Sequence, residues 1–148
     1  MMSNIQNMNI LLIGENPTLV NAFAKFLRIK GFFVTIESSF KASLRRLKKE
    51  LYDVVFVDAP LKDYDEVQIL LHLKENKIFQ KTNVLLFSYL DFDSAELNKW
   101  KNHGLYSYLK KPVKRNVIIK TLDDLRFKTS SEISKLKKEI EYVEELTV

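Results

Sequence analysis

The stretch VVFVDAPLKDYDEV, from Val54 to Val67, decides how this chain folds. Val54, Val55, Phe56 and Val57 form a short apolar run, mostly β-branched, that ends in a carboxylate, Asp58, and is broken at once by Ala59-Pro60. A run of that length closed by a turn signal reads as a strand buried on both faces, here Asp53 to Asp58. Strands covered on both sides belong to parallel sheets, and parallel neighbours need a crossover helix between them.

The rest of the chain follows that alternation. Asn9 to Ile13 (NILLI) is a second apolar run, broken at Gly14-Glu15-Asn16-Pro17. Pro17 opens a helix in which Leu19, Phe23, Phe26 and Leu27 recur at helical spacing, and Gly31 stands where a left-handed cap ends it. Phe32 to Glu37 reads as a strand, and Ser38 or Ser39 caps a helix over Phe40 to Glu50. Beyond Asp58, Val67, Ile69, Leu70, Leu71 and Leu73 mark a helix that ends near the polar stretch Lys74 to Lys81. Asn83 to Ser88 (NVLLFS) is a buried strand. Asp93 or Ser94 caps a helix closed by Gly104, Tyr106 to Leu109 forms a fifth strand, and Pro112 precedes a helix from Val113 to Phe127. Five strands alternating with five helices predict an open, mostly parallel α/β sheet with helices on both faces.

Composition agrees. The 148 residues are 46% hydrophobic and 29% charged, which suits one domain with a real core plus a tail. The chain has no cysteine, so disulfides and cysteine zinc sites are excluded, and a reducing, cytoplasmic setting is expected. MMSNIQNMNI lacks a basic segment followed by an apolar run, so neither export nor membrane insertion is expected. The net charge of +5 is spread along the chain. Its densest run, Lys41, Arg45, Arg46, Lys48 and Lys49, is interleaved with Leu44, Leu47 and Leu51, and reads as the solvated face of a helix rather than a nucleic-acid footprint. His72 and His103 have no partner at ligand spacing, so zinc is not expected. The glycine-rich dinucleotide fingerprint is absent, which argues against an enzyme on this type of sheet.

Open parallel sheets bind ligands outside the carboxyl ends of their strands, where loops and helix N-termini converge. Glu15, Asp58, Ser88 and Lys111 each lie at or just beyond such an end, and are expected to gather at one edge. Taken singly, each has a plainer role. Asp58 could cap a helix or pair with Lys111, Ser88 could bond backbone, and Tyr108 could be half-buried sheet.

Together, ILLIGENP, VVFVDAPLKDYD, VLLFS and YLKKP resemble the receiver domains of two-component response regulators, over about Asn9 to Phe127. The resemblance implies a flavodoxin-like (βα)5 three-layer sandwich with strand order 2-1-3-4-5. It implies that Asp58 accepts a phosphoryl group from a sensor histidine kinase and that Lys111 binds the phosphate. It also makes Ser88 the switch hydroxyl, and Tyr108 the aromatic residue that changes rotamer. Mg²⁺ would be held by Glu15, Asp58 and the backbone carbonyl of Pro60. The chemistry is coherent, since a carboxylate attacks a phosphoryl donor only when the donor's charge is neutralised. The implied function is signal transfer to a protein effector, without enzyme activity beyond self-catalysed gain and loss of the phosphoryl group. The rival is a degenerate receiver that works as an interaction or dimerisation module without phosphorylation.

Several positions depart from the family pattern. Receivers carry two adjacent acids after the first strand, whereas here Gly14 precedes Glu15 and Asn16 follows it, which should weaken Mg²⁺ binding. Leu61-Lys62 and Asp65-Glu66 replace the usual Met-Pro and Asp-Gly, and Tyr89 follows Ser88 where a small residue is usual.

The segment 128–148 reads as a C-terminal helical extension. Thr129-Ser130-Ser131-Glu132 has the capping-box pattern of a new helix. Ile133, Leu136, Ile140 and Val143 follow the spacing of a short coiled coil, so a homodimer through these residues is expected, with folding back onto the domain as the alternative. A second globular output domain does not fit in such a tail.

Overall fold

The structure, a computed structural model, describes residues 8–146, apart from the side chains of residues 129–133 and 144–146. One compact unit spans Asn7–Val113, and the other includes Lys114–Val148.

The first unit holds the whole sheet. Its elements are β1 (Asn9–Ile13), α1 (Pro17–Ile29), β2 (Phe33–Glu37), α2 (Phe40–Lys49), β3 (Val54–Asp58), α3 (Glu66–Glu75), a 3-10 turn (Ile78–Gln80), β4 (Asn83–Ser88), α4 (Ser94–His103) and β5 (Leu105–Lys110). The strands lie in the order β2-β1-β3-β4-β5 and every pairing is parallel, the expected topology. Because successive side chains alternate across a strand, the sheet has two distinct apolar faces. Leu11, Ile13, Val55, Val57, Val84 and Leu86 pack in one cluster with Phe40 and Leu47 of α2, Ile69, Leu70 and Leu73 of α3, and Trp100 of α4. On the alternate positions, Phe56 and Phe87 meet Phe23 of α1, with ring centroids 5.2 and 5.8 Å away. Right-handed crossovers require this division, since β1 to β2 runs one way along the sheet and the later connections run the other.

Local chemistry sets most boundaries. Asn16 caps α1 by accepting from Leu19 N–H, Ser39 caps α2 through Ala42 N–H, and Asp93 caps α4 through Glu96 N–H. Gly104 closes α4 at φ 115°, and a Cβ there would lie 2.8 Å from Phe79 Cβ, so both backbone and space require glycine. β2 begins one residue later than expected, because Phe32 N–H still bonds Leu27 O to complete the turn after α1. β5 is longer than expected at both ends. Asp65 and Gln68 form a reciprocal capping box that starts α3 at Glu66. The polar stretch after α3 also contains an element the sequence reading left out, the 3-10 turn, whose Ile78 and Phe79 are buried.

The second unit corrects one expectation. A single continuous helix, α5, runs from Arg115 to Leu146, so Thr129-Ser130-Ser131-Glu132 continues a helix rather than starting one. No glycine or proline follows Pro112, and Thr and Ser cost a helix interior only a few tenths of a kcal/mol each, roughly, relative to better formers. Within α5, Ile118, Leu122 and Leu125 are buried, whereas Leu136, Ile140 and Val143 are more than half exposed. The side chain of Ile133 lies outside the described residues.

Candidate functional site

Asp58 is the last residue of β3, and its neighbours Val54 to Val57 are wholly buried, so the strand carries the carboxylate to the sheet edge on a rigid base. Lys111 follows β5. Its backbone N–H bonds Ser88 O at 2.8 Å, which ties it to the end of β4. From there its ammonium reaches Asp58, with Nζ 2.5 Å from Oδ1, and the two side chains are only 20% and 23% exposed. A second contact positions the same ammonium, which sits over the Tyr89 ring 5.0 Å from its centroid. The sheet therefore brings an acid and a base together from β3 and β5 across β4.

Glu15 is placed differently. Both its carboxylate oxygens accept the backbone N–H of Lys62, at 2.8 and 2.9 Å. It also lines a pocket with Ser39, Lys41, Lys62 and Tyr64. Gly14, beside it, is buried, and a Cβ there would lie 2.7 Å from Val20 Cγ2 and 3.4 Å from Asp58 Cβ. The space an adjacent acid would use next to Asp58 is thus partly filled by a methyl group of α1. Among the described residues no group of three or more acids or histidines converges as a metal site. Mg²⁺ demands near-octahedral hard oxygen donors. The donors as arranged do not fit it, since Gly14 offers none, Glu15 is engaged with Lys62, and Asp58 Oδ1 is held by Lys111. Pro60 is exposed, two residues beyond Asp58.

Ser88 ends β4 and is completely buried. Its hydroxyl donates to Oε2 of Glu66, the first residue of α3, and its oxygen accepts Leu90 N–H at 3.0 Å. The β4–β5 register pairs Leu86 with Tyr108, so the pleat turns Tyr108 and Ser88 toward the same face. Tyr108 donates its hydroxyl to Leu90 O, and its ring lies 5.1 Å from that of Phe92. Burial pushes the Tyr108 phenol above its ordinary 10.0; the Ser88 hydroxyl opposes this and the Glu66 charge adds to it. The sequence reading missed Glu66 as a site residue. Its only signal was Asp65-Glu66 standing where receivers carry Asp-Gly.

Other singled-out residues lie elsewhere. His72 packs edge-on against Phe40 and Tyr64. Trp100 is wholly buried, and its indole N–H donates to Glu96 at 3.0 Å.

The response regulator receiver domain pattern matches residues 10–123. The chain is 26% identical over 129 residues to the two-component response regulator ARR11 of Arabidopsis thaliana, covering 80% of this chain and 24% of that protein. It is 23% identical over 116 residues to the transcriptional regulatory protein GlrR of Escherichia coli, covering 78% of this chain and 26% of that one. The chain thus spans about a quarter of the length of these relatives. Among solved structures, the Francisella response regulator 1452 receiver domain superposes with a TM-score of 0.71 at 22% identity, over 83% of this chain and 99% of that one. The receiver domain of sensor histidine kinase PA1611 from Pseudomonas aeruginosa, described with a magnesium ion in its active site cleft, gives 0.66 at 21% identity, over 81% and 98%. No helix among the described residues is long and apolar enough to cross a membrane. With the parallel sheet in the order 2-1-3-4-5 and the family pattern running from β1 into α5, this chain belongs to the response regulator receiver domain family of two-component signalling.

Proposed function

We propose that this chain is a signal-transfer receiver that accepts a phosphoryl group on Asp58 from a sensor histidine kinase and passes the change to a protein effector through an altered binding face. The observation that carries this reading is the Lys111–Asp58 pair at the sheet edge. In the step, an Asp58 carboxylate oxygen bonds the phosphorus of a phosphohistidine. The P–N bond breaks, its electron pair stays on the imidazole, and an acyl phosphate forms. Lys111 offsets the charge that repels donor from nucleophile. No part of this step is assigned to magnesium, because the donors do not fit the ion as arranged. The reading places the chain in the cytoplasm, where a kinase's phosphohistidine is exposed. Incubation with acetyl phosphate tests it. The intact mass should gain one phosphoryl group that Asp58→Asn abolishes; a wild-type chain unmodified at saturating donor would sink it.

A second reading, an interaction module independent of phosphorylation, is favoured by Glu15 closed on Lys62 and by Val20 beside Gly14. Acceptance of phosphate with an unchanged binding face would support it. In either reading, we propose a homodimer through the exposed Leu136, Ile140 and Val143 stripe of α5, with Ile133 completing the spacing.

A further inference from the structure

An acid in the first turn of a helix is favoured by the helix dipole and ordinarily faces water. Glu66 does not. It is only 9% exposed, and it accepts a hydrogen bond from Ser88, which is fully buried. A buried carboxylate is costly unless it keeps its donors, so this contact resists opening.

A serine hydroxyl has one proton to give. Here it goes to Glu66, while the hydroxyl oxygen holds Leu90 N–H and Tyr108 holds Leu90 O. Both backbone groups of Leu90 are thereby fixed by side chains of β4 and β5, and the series ends at Glu66. A phosphoryl group on Asp58 would bring negative charge and three acceptor oxygens. To recruit Ser88 it would need the proton that Glu66 already takes.

We propose that Glu66 is an internal anionic latch: by occupying the Ser88 hydroxyl as a phosphoryl oxygen would, it holds the β4–α4 loop and Tyr108 in the unmodified arrangement, and a phosphoryl group on Asp58 must break this contact to alter the binding face. The consequence for signalling rests on Asp58 being the acceptor, but the latch itself is a property of the unmodified protein. It acts through positioning, since Glu66 stands in for a ligand of Ser88 and takes no part in bond making. Removing it should free the Ser88 hydroxyl for the acceptor site and make Tyr108 respond more fully to the state of Asp58.

Nuclear magnetic resonance on the full chain separates the two issues. In the unmodified protein, Glu66→Ala should speed Leu90 amide exchange about tenfold, as expected for one lost charge-assisted hydrogen bond, and should shift the Tyr108 ring resonances. Ser88→Ala should do the same, and the double variant should add nothing. Glu66→Gln, which keeps shape and one acceptor, carries the test with a smaller effect if the alanine variant does not fold. Unchanged Leu90 exchange and Tyr108 resonances in the Glu66 variants overturn the latch. With beryllofluoride added, the Ala59 amide should move in both proteins, and Tyr108 should move further in Glu66→Ala than in the wild type. Equal Tyr108 movement in both proteins also overturns the latch. Absence of any adduct in both refutes Asp58 as acceptor and leaves the first arm to decide on Glu66.

Discussion

Lys111 Nζ lies 2.5 Å from Asp58 Oδ1, although the two residues are 53 positions apart in the chain. Both side chains keep about a fifth of their surface exposed, so the pair is worth little as a structural tie, on the order of 1 kcal/mol. Its value is chemical. Lys111→Met should slow modification of Asp58 by acetyl phosphate at least about tenfold, the scale of one lost charge-stabilising contact. A urea double-mutant cycle with Asp58→Asn should return a coupling of roughly 1 kcal/mol or less. An unchanged modification rate would remove Lys111 from the site.

Gly14 and Val20 interlock. A Cβ at position 14 would lie 2.7 Å from Val20 Cγ2, so Gly14→Asp should destabilise the fold by ~1–3 kcal/mol, the usual cost of overpacking. Val20→Ala opens the space, and the double variant should be more stable than the sum of the single effects predicts. With an acid restored beside Asp58, it should bind Mg²⁺ at least about tenfold more tightly than the wild type by isothermal titration calorimetry. Additive stabilities, or equal affinities, would show that the methyl group is not what stands in the way.

Stability should fall on both sides of a neutral plateau. Burial raises the Tyr52 and Tyr108 phenols above their ordinary 10.0. Between that value and the raised one, the unfolded chain has lost protons that the folded chain keeps, so stability is full below pH 10 and declines as pH rises. On the acid side, the Tyr52 hydroxyl, aided by Arg46, lowers the Glu50 carboxyl from its ordinary 4.5. That contribution is present above 4.5 and is lost as pH falls through the folded value. Urea midpoints across pH should trace this shape. Tyr52→Phe should flatten the Glu50 part of the acid limb together with its own share of the alkaline one.

Leu136, Ile140 and Val143 are each exposed by 56–57% along one stripe of α5. Replacing Leu136 and Ile140 by Lys should convert a dimer to a monomer in sedimentation velocity runs. The unfolding free energy of the sheet unit, from urea titration, should change by less than about 0.5 kcal/mol, since exposed substitutions cost little. A monomer at all accessible concentrations of wild type would end the coiled-coil reading.

The sheet was legible because its signals are local. NILLI, VVFVD and NVLLFS are apolar runs bounded by turn residues, and Ser39, Asp93 and Gly104 cap where their chemistry says they should. The pairing of Asp58 with Lys111 followed from topology, since parallel order places both strand ends on one edge. What could not be read depends on packing or on backbone position. Glu66 looks like an ordinary first-turn acid until α3 is laid against β4, which turns it onto Ser88. The family resemblance makes Glu15 a metal-binding acid, yet its partner is the backbone N–H of Lys62, which has no signature in a sequence. Thr129-Ser130-Ser131-Glu132 carries a start pattern, but with no glycine or proline between Pro112 and it nothing ends the preceding helix.

The methyl group of Val20 also bears on how such a pocket changes over time. A lineage that loses the acid at position 14 can fill the vacated room with a larger neighbour at no cost to folding. Going back is harder. An acid that returns first collides, and a smaller residue at 20 that comes first leaves a hole, so each single step toward recovery is penalised. The contact therefore penalises either single substitution toward an acid at position 14 and leaves only the paired change open.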